Sequence, residues 1–239
     1  MQLFRSLLFD VLFYGLMGIM GLILAPLAAL SARGALWSIK RFLAIAFWLL
    51  RHLCGLTYEV RGAVPDRATL VVAKHQSFLD ILVLSRVLPE PRFVMKAELK
   101  WMPVLGFYAW RIGCTPVIRS DGAKALRRMV SDIDRGSLDG QVVIYPQGTR
   151  VAPGRYVRYR PGAGVLYDRH SMVAVPVATN AGLFWGRRSL RRKPGRAVVA
   201  FLDPIAPGLA VPQFMRAIET QIETASTDLE AEAGQRRPG

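Results

Sequence analysis

The chain has 239 residues, enough for one good-sized domain with an appendage and a real hydrophobic core. A formal net charge of +15 calls for an anionic partner (nucleic acid, membrane head groups or a phosphorylated substrate), while 52% hydrophobic residues and a mean hydropathy of +0.26 favour a membrane surface over nucleic acid. The two cysteines, Cys54 and Cys114, match neither a disulfide framework nor a metal-ligand spacing, and read as small core residues in a reducing setting.

Residues 11–32 carry no charge and would extend roughly 33 Å as a helix, against a bilayer core of about 30 Å. Pro26 is expected to kink that helix. A cleaved signal peptide is the rival reading, but Asp10 precedes the segment and no clean Ala-x-Ala site closes it. A second apolar run, 42–50, gives only about 14 Å and cannot span. With Trp48 inside it and Lys40-Arg41 and Arg51-His52 at its ends, it reads as an interfacial helix. The pair forms either a hairpin in one leaflet or one span plus one interfacial helix. Arg33, Lys40, Arg41 and Arg51 follow the long segment and put the rest of the chain on the cytoplasmic face of the inner membrane.

After Gly55 the texture changes. Short apolar runs predict strands at 57–61, 69–73, 92–95, 115–118, 142–145, 172–178 and 197–202, with helices between them at 78–86, 103–112, 123–135, 162–168 and 213–230. Such alternation predicts an α/β fold with a mostly parallel central sheet flanked by helices. The chain divides into membrane-associated helices (1–55), the α/β domain (56–233) and a flexible tail (234–239).

In such sheets ligands gather at the carboxyl ends of strands. Lys74-His75, Arg119 and Gln147-Gly-Thr-Arg150 each follow a predicted strand there. His75 and Asp80 are five apart, about 140° round a helix, so they meet only if His75 lies in the turn before the helix and Asp80 in its first turn. A histidine oriented by a carboxylate can take a proton from a hydroxyl near neutral pH. The competing reading is a capping box, with Ser77 as cap and Asp80 reaching back to a free amide. Ser77 is expected to be committed to the backbone, so the attacking hydroxyl belongs to the substrate. Gly148 permits close backbone approach, Thr149 offers a hydroxyl and Arg150 a planar fork for phosphate. His52 reads as an interfacial side chain, and His170 has no partner at helical spacing.

Five blocks in order resemble the 1-acylglycerol-3-phosphate acyltransferase family, over about residues 70–178. They are His75-Gln-Ser-Phe-Leu-Asp80 (the His-x4-Asp motif), Phe93-Val-Met-Lys-Ala-Glu-Leu99 with Pro103 and Gly106, Val117-Ile-Arg119 with Lys124, Tyr145-Pro-Gln-Gly-Thr-Arg150, and Val175-Pro-Val177. The fourth resembles Phe-Pro-Glu-Gly-Thr-Arg, with Gln147 in place of the glutamate. The resemblance implies acyl transfer from acyl-CoA or acyl-carrier protein to a lysophospholipid, commonly lysophosphatidate giving phosphatidate, without cofactor or metal. It implies His75 as general base and Asp80 as the residue that orients it. Arg119, Gln147, Gly148, Thr149 and Arg150 would hold the acceptor phosphate, with Lys96 as helper. Backbone amides after His75 could serve the oxyanion. A lyso-ornithine lipid is the alternative acceptor, and a non-catalytic membrane-surface protein the alternative class. No nucleic-acid partner is expected.

Overall fold

The computed structural model describes residues 1–118, 122–135 and 139–235. It opens with three helices: α1 (Gln2–Ile23), α2 (Ala25–Leu30) and α3 (Ala32–Cys54). Pro26 sits in the first turn of α2, where its missing N–H costs nothing, so the long apolar segment breaks rather than bends. The Ser31 hydroxyl accepts from the Gly34 amide and caps α3, and Gly55 ends it in the left-handed conformation (φ 65°). The second apolar run is thus the middle of a 23-residue helix. The expected nine-residue element was too short because Arg33, Arg41 and Arg51 continue the helix on an exposed face rather than ending it.

The Gln2 side chain donates to the Cys54 carbonyl at 3.1 Å, which brings the start of α1 to the end of α3 and closes a hairpin. Gly34 makes the close approach possible: a Cβ there would lie 2.4 Å from the Leu27 carbonyl oxygen.

The seven strands predicted from sequence all form: β1 (Leu56–Arg61), β2 (Thr69–Ala73), β3 (Pro91–Lys96), β4 (Thr115–Val117), β5 (Gln141–Ile144), β6 (Ala174–Thr179) and β7 (Gly195–Phe201). They order as β1-β7-β6-β2-β5-β3-β4 in one sheet, antiparallel at β6–β7 and parallel at the other pairings. Central β2 is buried at every position, as a strand covered on both faces must be. Its alternating side chains separate two cores. Val71 and Ala73 face α1, α3 and α4 (Phe78–Val87), while Leu70 and Val72 face α6 (Gly122–Arg135), α7 (Gly162–His170) and α8 (Val211–Gln235). Helix α5 (Leu105–Arg111) packs instead beside the hairpin, where the Tyr108 hydroxyl donates to the Gly21 carbonyl and Arg111 to that of Ala28.

Helix α1 presents two faces. Phe9 and Phe13 are buried in the main core against Trp185, Phe42 and Phe78, whereas Phe4, Val11, Tyr14, Ile19, Leu22 and Ile23 stand exposed on the other side.

Candidate active site

Strand β2 ends at Ala73 and α4 starts at Phe78, leaving Lys74-His75-Gln76-Ser77 as the turn. Ser77 is the N-cap, its hydroxyl accepting from the Leu79 amide at 3.0 Å and donating to the Trp185 carbonyl at 2.6 Å. The hydroxyl is therefore committed, as expected.

Asp80 resolves the competition between its two readings by using both oxygens. Oδ2 accepts from the Gln76 and Ser77 amides, each at 2.8 Å, which completes the capping box. Oδ1 meets His75 Nδ1 at 3.0 Å. A carboxylate only accepts, so Nδ1 carries the proton and Nε2 is left as the basic nitrogen. The cap positions the acid–base pair instead of competing with it. The Gln76 and Ser77 amides are taken up by Asp80, so they are not open to an oxyanion.

The main chain of His75 is held on both sides. Its N–H donates to Gln147 Oε1 (3.2 Å), and its carbonyl accepts from the Val151 amide (2.7 Å). The Tyr145 ring stacks on the imidazole at 4.1 Å between centroids. The Tyr145 hydroxyl is buried with no hydrogen-bond partner among the described residues, and burial, then the Asp80 charge, pushes its pKa well above the usual tyrosine value. The hydroxyl lies against the Asp80 carboxylate without a well-formed hydrogen bond, so Tyr145→Phe should change stability by no more than about 1 kcal/mol and leave acyl transfer intact. Thermal unfolding with an activity assay checks this, and a loss of either would show that the hydroxyl contributes.

Gln147, Gly148, Thr149 and Arg150 turn directly beside His75. Gly148 has φ 66°, and a Cβ there would lie 3.0 Å from Nε of Arg160. Arg160 was absent from the expected site. Its amide donates to the Pro146 carbonyl, which folds its guanidinium over Gly148 and gives the turn a second cation beside Arg150. The basic run 155–160 was its signal in the sequence. Among the described residues, neither arginine is paired with a carboxylate. Gln147 is buried and serves the main chain of His75, so it is a support of the turn more than a ligand.

Lys96 ends β3 with its ammonium half exposed and paired with Glu98 at 2.9 Å; it is not drawn into the His75 group. Arg119 lies outside the described residues. His170 sits 3.4 Å from Asp134, and His52 stacks on Trp48, both away from the site. Burial pushes the Cys114 thiol up to about 11. That leaves almost no thiolate at pH 8, so iodoacetamide at that pH should not inactivate the protein. Inactivation that a Cys114→Ala variant resists would overturn the core reading of this cysteine.

A mostly apolar cavity of about 410 Å³ opens beside the site. Met95, Leu126, Met129 and Ile144 line it, with Tyr145 and Gly148 at the catalytic edge. A histidine with one free ring nitrogen, a cationic turn and an apolar cavity lie together at the strand ends.

Residues 56–180, more than half of the chain, match the family model described as Acyltransferase, and the chain belongs to that family. Among named relatives, it is 28% identical over 200 residues to the 1-acyl-sn-glycerol-3-phosphate acyltransferase of Pseudomonas aeruginosa, covering 81% of this chain and 77% of that one. It is 27% identical over 222 residues to the human 1-acyl-sn-glycerol-3-phosphate acyltransferase alpha (90% and 77% covered). The Lyso-ornithine lipid O-acyltransferase of Rhizobium meliloti is 35% identical over 111 residues, 43% of this chain and 37% of that one. The crystal structure of the 1-acyl-sn-glycerophosphate (LPA) acyltransferase from Thermotoga maritima superimposes with a TM-score of 0.80 over all of both chains at 20% identity, a likeness of fold. With α1 apolar and long enough to cross a membrane, and one face of it exposed, this is a membrane-associated member of the family.

Proposed function

We propose that the protein moves an acyl chain from acyl-CoA or acyl-carrier protein to the free hydroxyl of 1-acylglycerol-3-phosphate, giving phosphatidate for phospholipid synthesis. The observation that carries this reading is the His75 imidazole, fixed through Nδ1 by Asp80 beside the Gly148-Thr149-Arg150 turn. His75 Nε2 takes the proton of the acceptor hydroxyl as its oxygen attacks the thioester carbonyl. The C–S bond then breaks, and the leaving thiolate recovers the proton from the imidazolium, which Asp80 stabilises. A thioester is already activated, so a positioned base and an oriented acceptor suffice. Arg150 and Arg160 hold the acceptor phosphate with the amide edge of the Gly148 turn, and the 410 Å³ cavity receives an acyl chain.

Residues 1–55 form the membrane anchor. One face of α1 is docked in protein from Ser6, Phe9 and Phe13 to Gly21, and the opposite face, with Phe4, Val11, Tyr14, Ile19 and Leu22, is left for lipid. A helix docked along one side lies with its neighbours as a hairpin in one leaflet rather than crossing alone. Exposed Trp101 and Trp110 lie on the segment packed against the hairpin and extend the same surface, while Arg33, Lys40, Arg41 and Arg51 meet anionic head groups on the cytoplasmic side.

A lyso-ornithine acceptor is the second reading, favoured by the Rhizobium relative. Purified protein should convert lysophosphatidate with acyl-CoA or acyl-carrier protein faster than it converts lyso-ornithine lipid, and His75→Ala should abolish both. No transfer to any lyso-lipid would end the enzymatic reading; full activity of His75→Ala would end the role given to His75.

A further inference from the structure

Glu219, Glu223 and Glu230 stand four and seven residues apart on α8, so they share one face, and that face is turned to the catalytic loops. Glu219 accepts from the Tyr156 hydroxyl, and Glu230 from Gln76 Nε2 (2.7 Å) and the Gly154 amide (3.0 Å). Glu223 is the central one. It pairs with the Lys74 ammonium and accepts from the Tyr159 hydroxyl (2.8 Å) and from Gln147 Nε2 (3.4 Å). Lys74 is 3% exposed and Gln147 2%, so neither can turn to water for a replacement partner. Burial and the Glu223 charge also push the Tyr159 hydroxyl pKa up, which keeps it a donor.

We propose that Glu223 is a positioning residue for His75. This rests on the reading of His75 as the base. Glu223 grips residue 75 from both sides: directly through Lys74, the preceding residue, and indirectly through Gln147. Because a carboxylate only accepts, Glu223 forces the Gln147 amide to present Nε2 to it and Oε1 to the His75 amide. The departure from the Pro-Glu-Gly-Thr-Arg pattern is thereby explained. A glutamate at 147 would set a second carboxylate about 3.4 Å from Glu223, which already neutralises the buried Lys74. The chain keeps a single negative charge there, and α8 supplies it from outside the matched segment 56–180.

The test is a double-mutant cycle of Glu223→Gln and Gln147→Glu in the full chain, read by kcat and KM and by the low-field Nδ1 proton of His75, assigned by its absence in His75→Ala. Each single change should lower kcat about tenfold with little change in KM and broaden the Nδ1 signal, while the double variant, which restores one carboxylate and one amide, should return kcat to within about threefold of wild type and recover the signal. Losses that simply multiply in the double variant overturn the proposal, as do single variants with wild-type kcat and an unchanged signal. Retained activity in His75→Ala instead sinks the base assignment, and the Nδ1 signal still decides whether Glu223 holds the ring.

Discussion

Asp80→Asn should lower kcat roughly 1,000- to 10,000-fold, the scale seen when a histidine base is held in the wrong tautomer. The asparagine oxygen can still accept from the Gln76 and Ser77 amides where Oδ2 does now. Its amide nitrogen then faces His75 Nδ1 and donates, so the ring must carry its proton on Nε2 and has no lone pair for the acceptor hydroxyl. The helix cap survives, so the melting temperature should fall little and KM for both substrates should stay close to wild type. Asp80→Ala removes both functions and should lose stability as well, by about 1 kcal/mol for the cap alone. The pair of variants separates orientation from capping. Near-wild-type kcat in Asp80→Asn would mean that the carboxylate contributes only to the fold.

The elements were legible because periodicity and strand-end punctuation are local. Thr69-Leu-Val-Val-Ala73 is uniformly apolar because β2 is covered on both faces, and Ser77-Phe-Leu-Asp80 announces a helix start. The His75–Asp80 pairing was legible as a geometric possibility, since position five falls within reach only across a turn. What the sequence hid were contacts made over long separations. Glu223 lies 149 residues from Lys74, and nothing in the α8 segment marks it apart from other helix-face glutamates. Lys96 shows the converse, since its pairing with Glu98, two residues on, could be read from the sequence, though the expectation for Lys96 did not include it. The docking of α1 was hidden for a different reason. Phe9 and Phe13 read the same whether they face lipid or protein, and only Arg192, 182 residues from Asp10, reveals which.

That contact sets the second large effect. Arg192 is buried, grips Asp10 of α1 with both Nη1 and Nη2, and lies over the Trp185 ring at 4.2 Å. Its own amide donates to the Ser6 hydroxyl. Arg192→Ala leaves the partly buried Asp10 carboxylate without its partner, a change worth roughly 2–3 kcal/mol, and the melting temperature should fall by about 4–10 °C. Arg192→Lys keeps the charge but not the fork and should fall between. The consequence reaches the active site, because the Trp185 carbonyl accepts from Ser77, the cap that fixes Asp80. Loosening α1 from Trp185 should therefore lower kcat as well as stability. The exposed apolar face of α1 is unchanged by the substitution, so the variant should still float with anionic vesicles while losing activity. Wild-type melting in Arg192→Ala would refute the docking. Loss of flotation would instead mean that docking of α1 is needed to present that face to the bilayer.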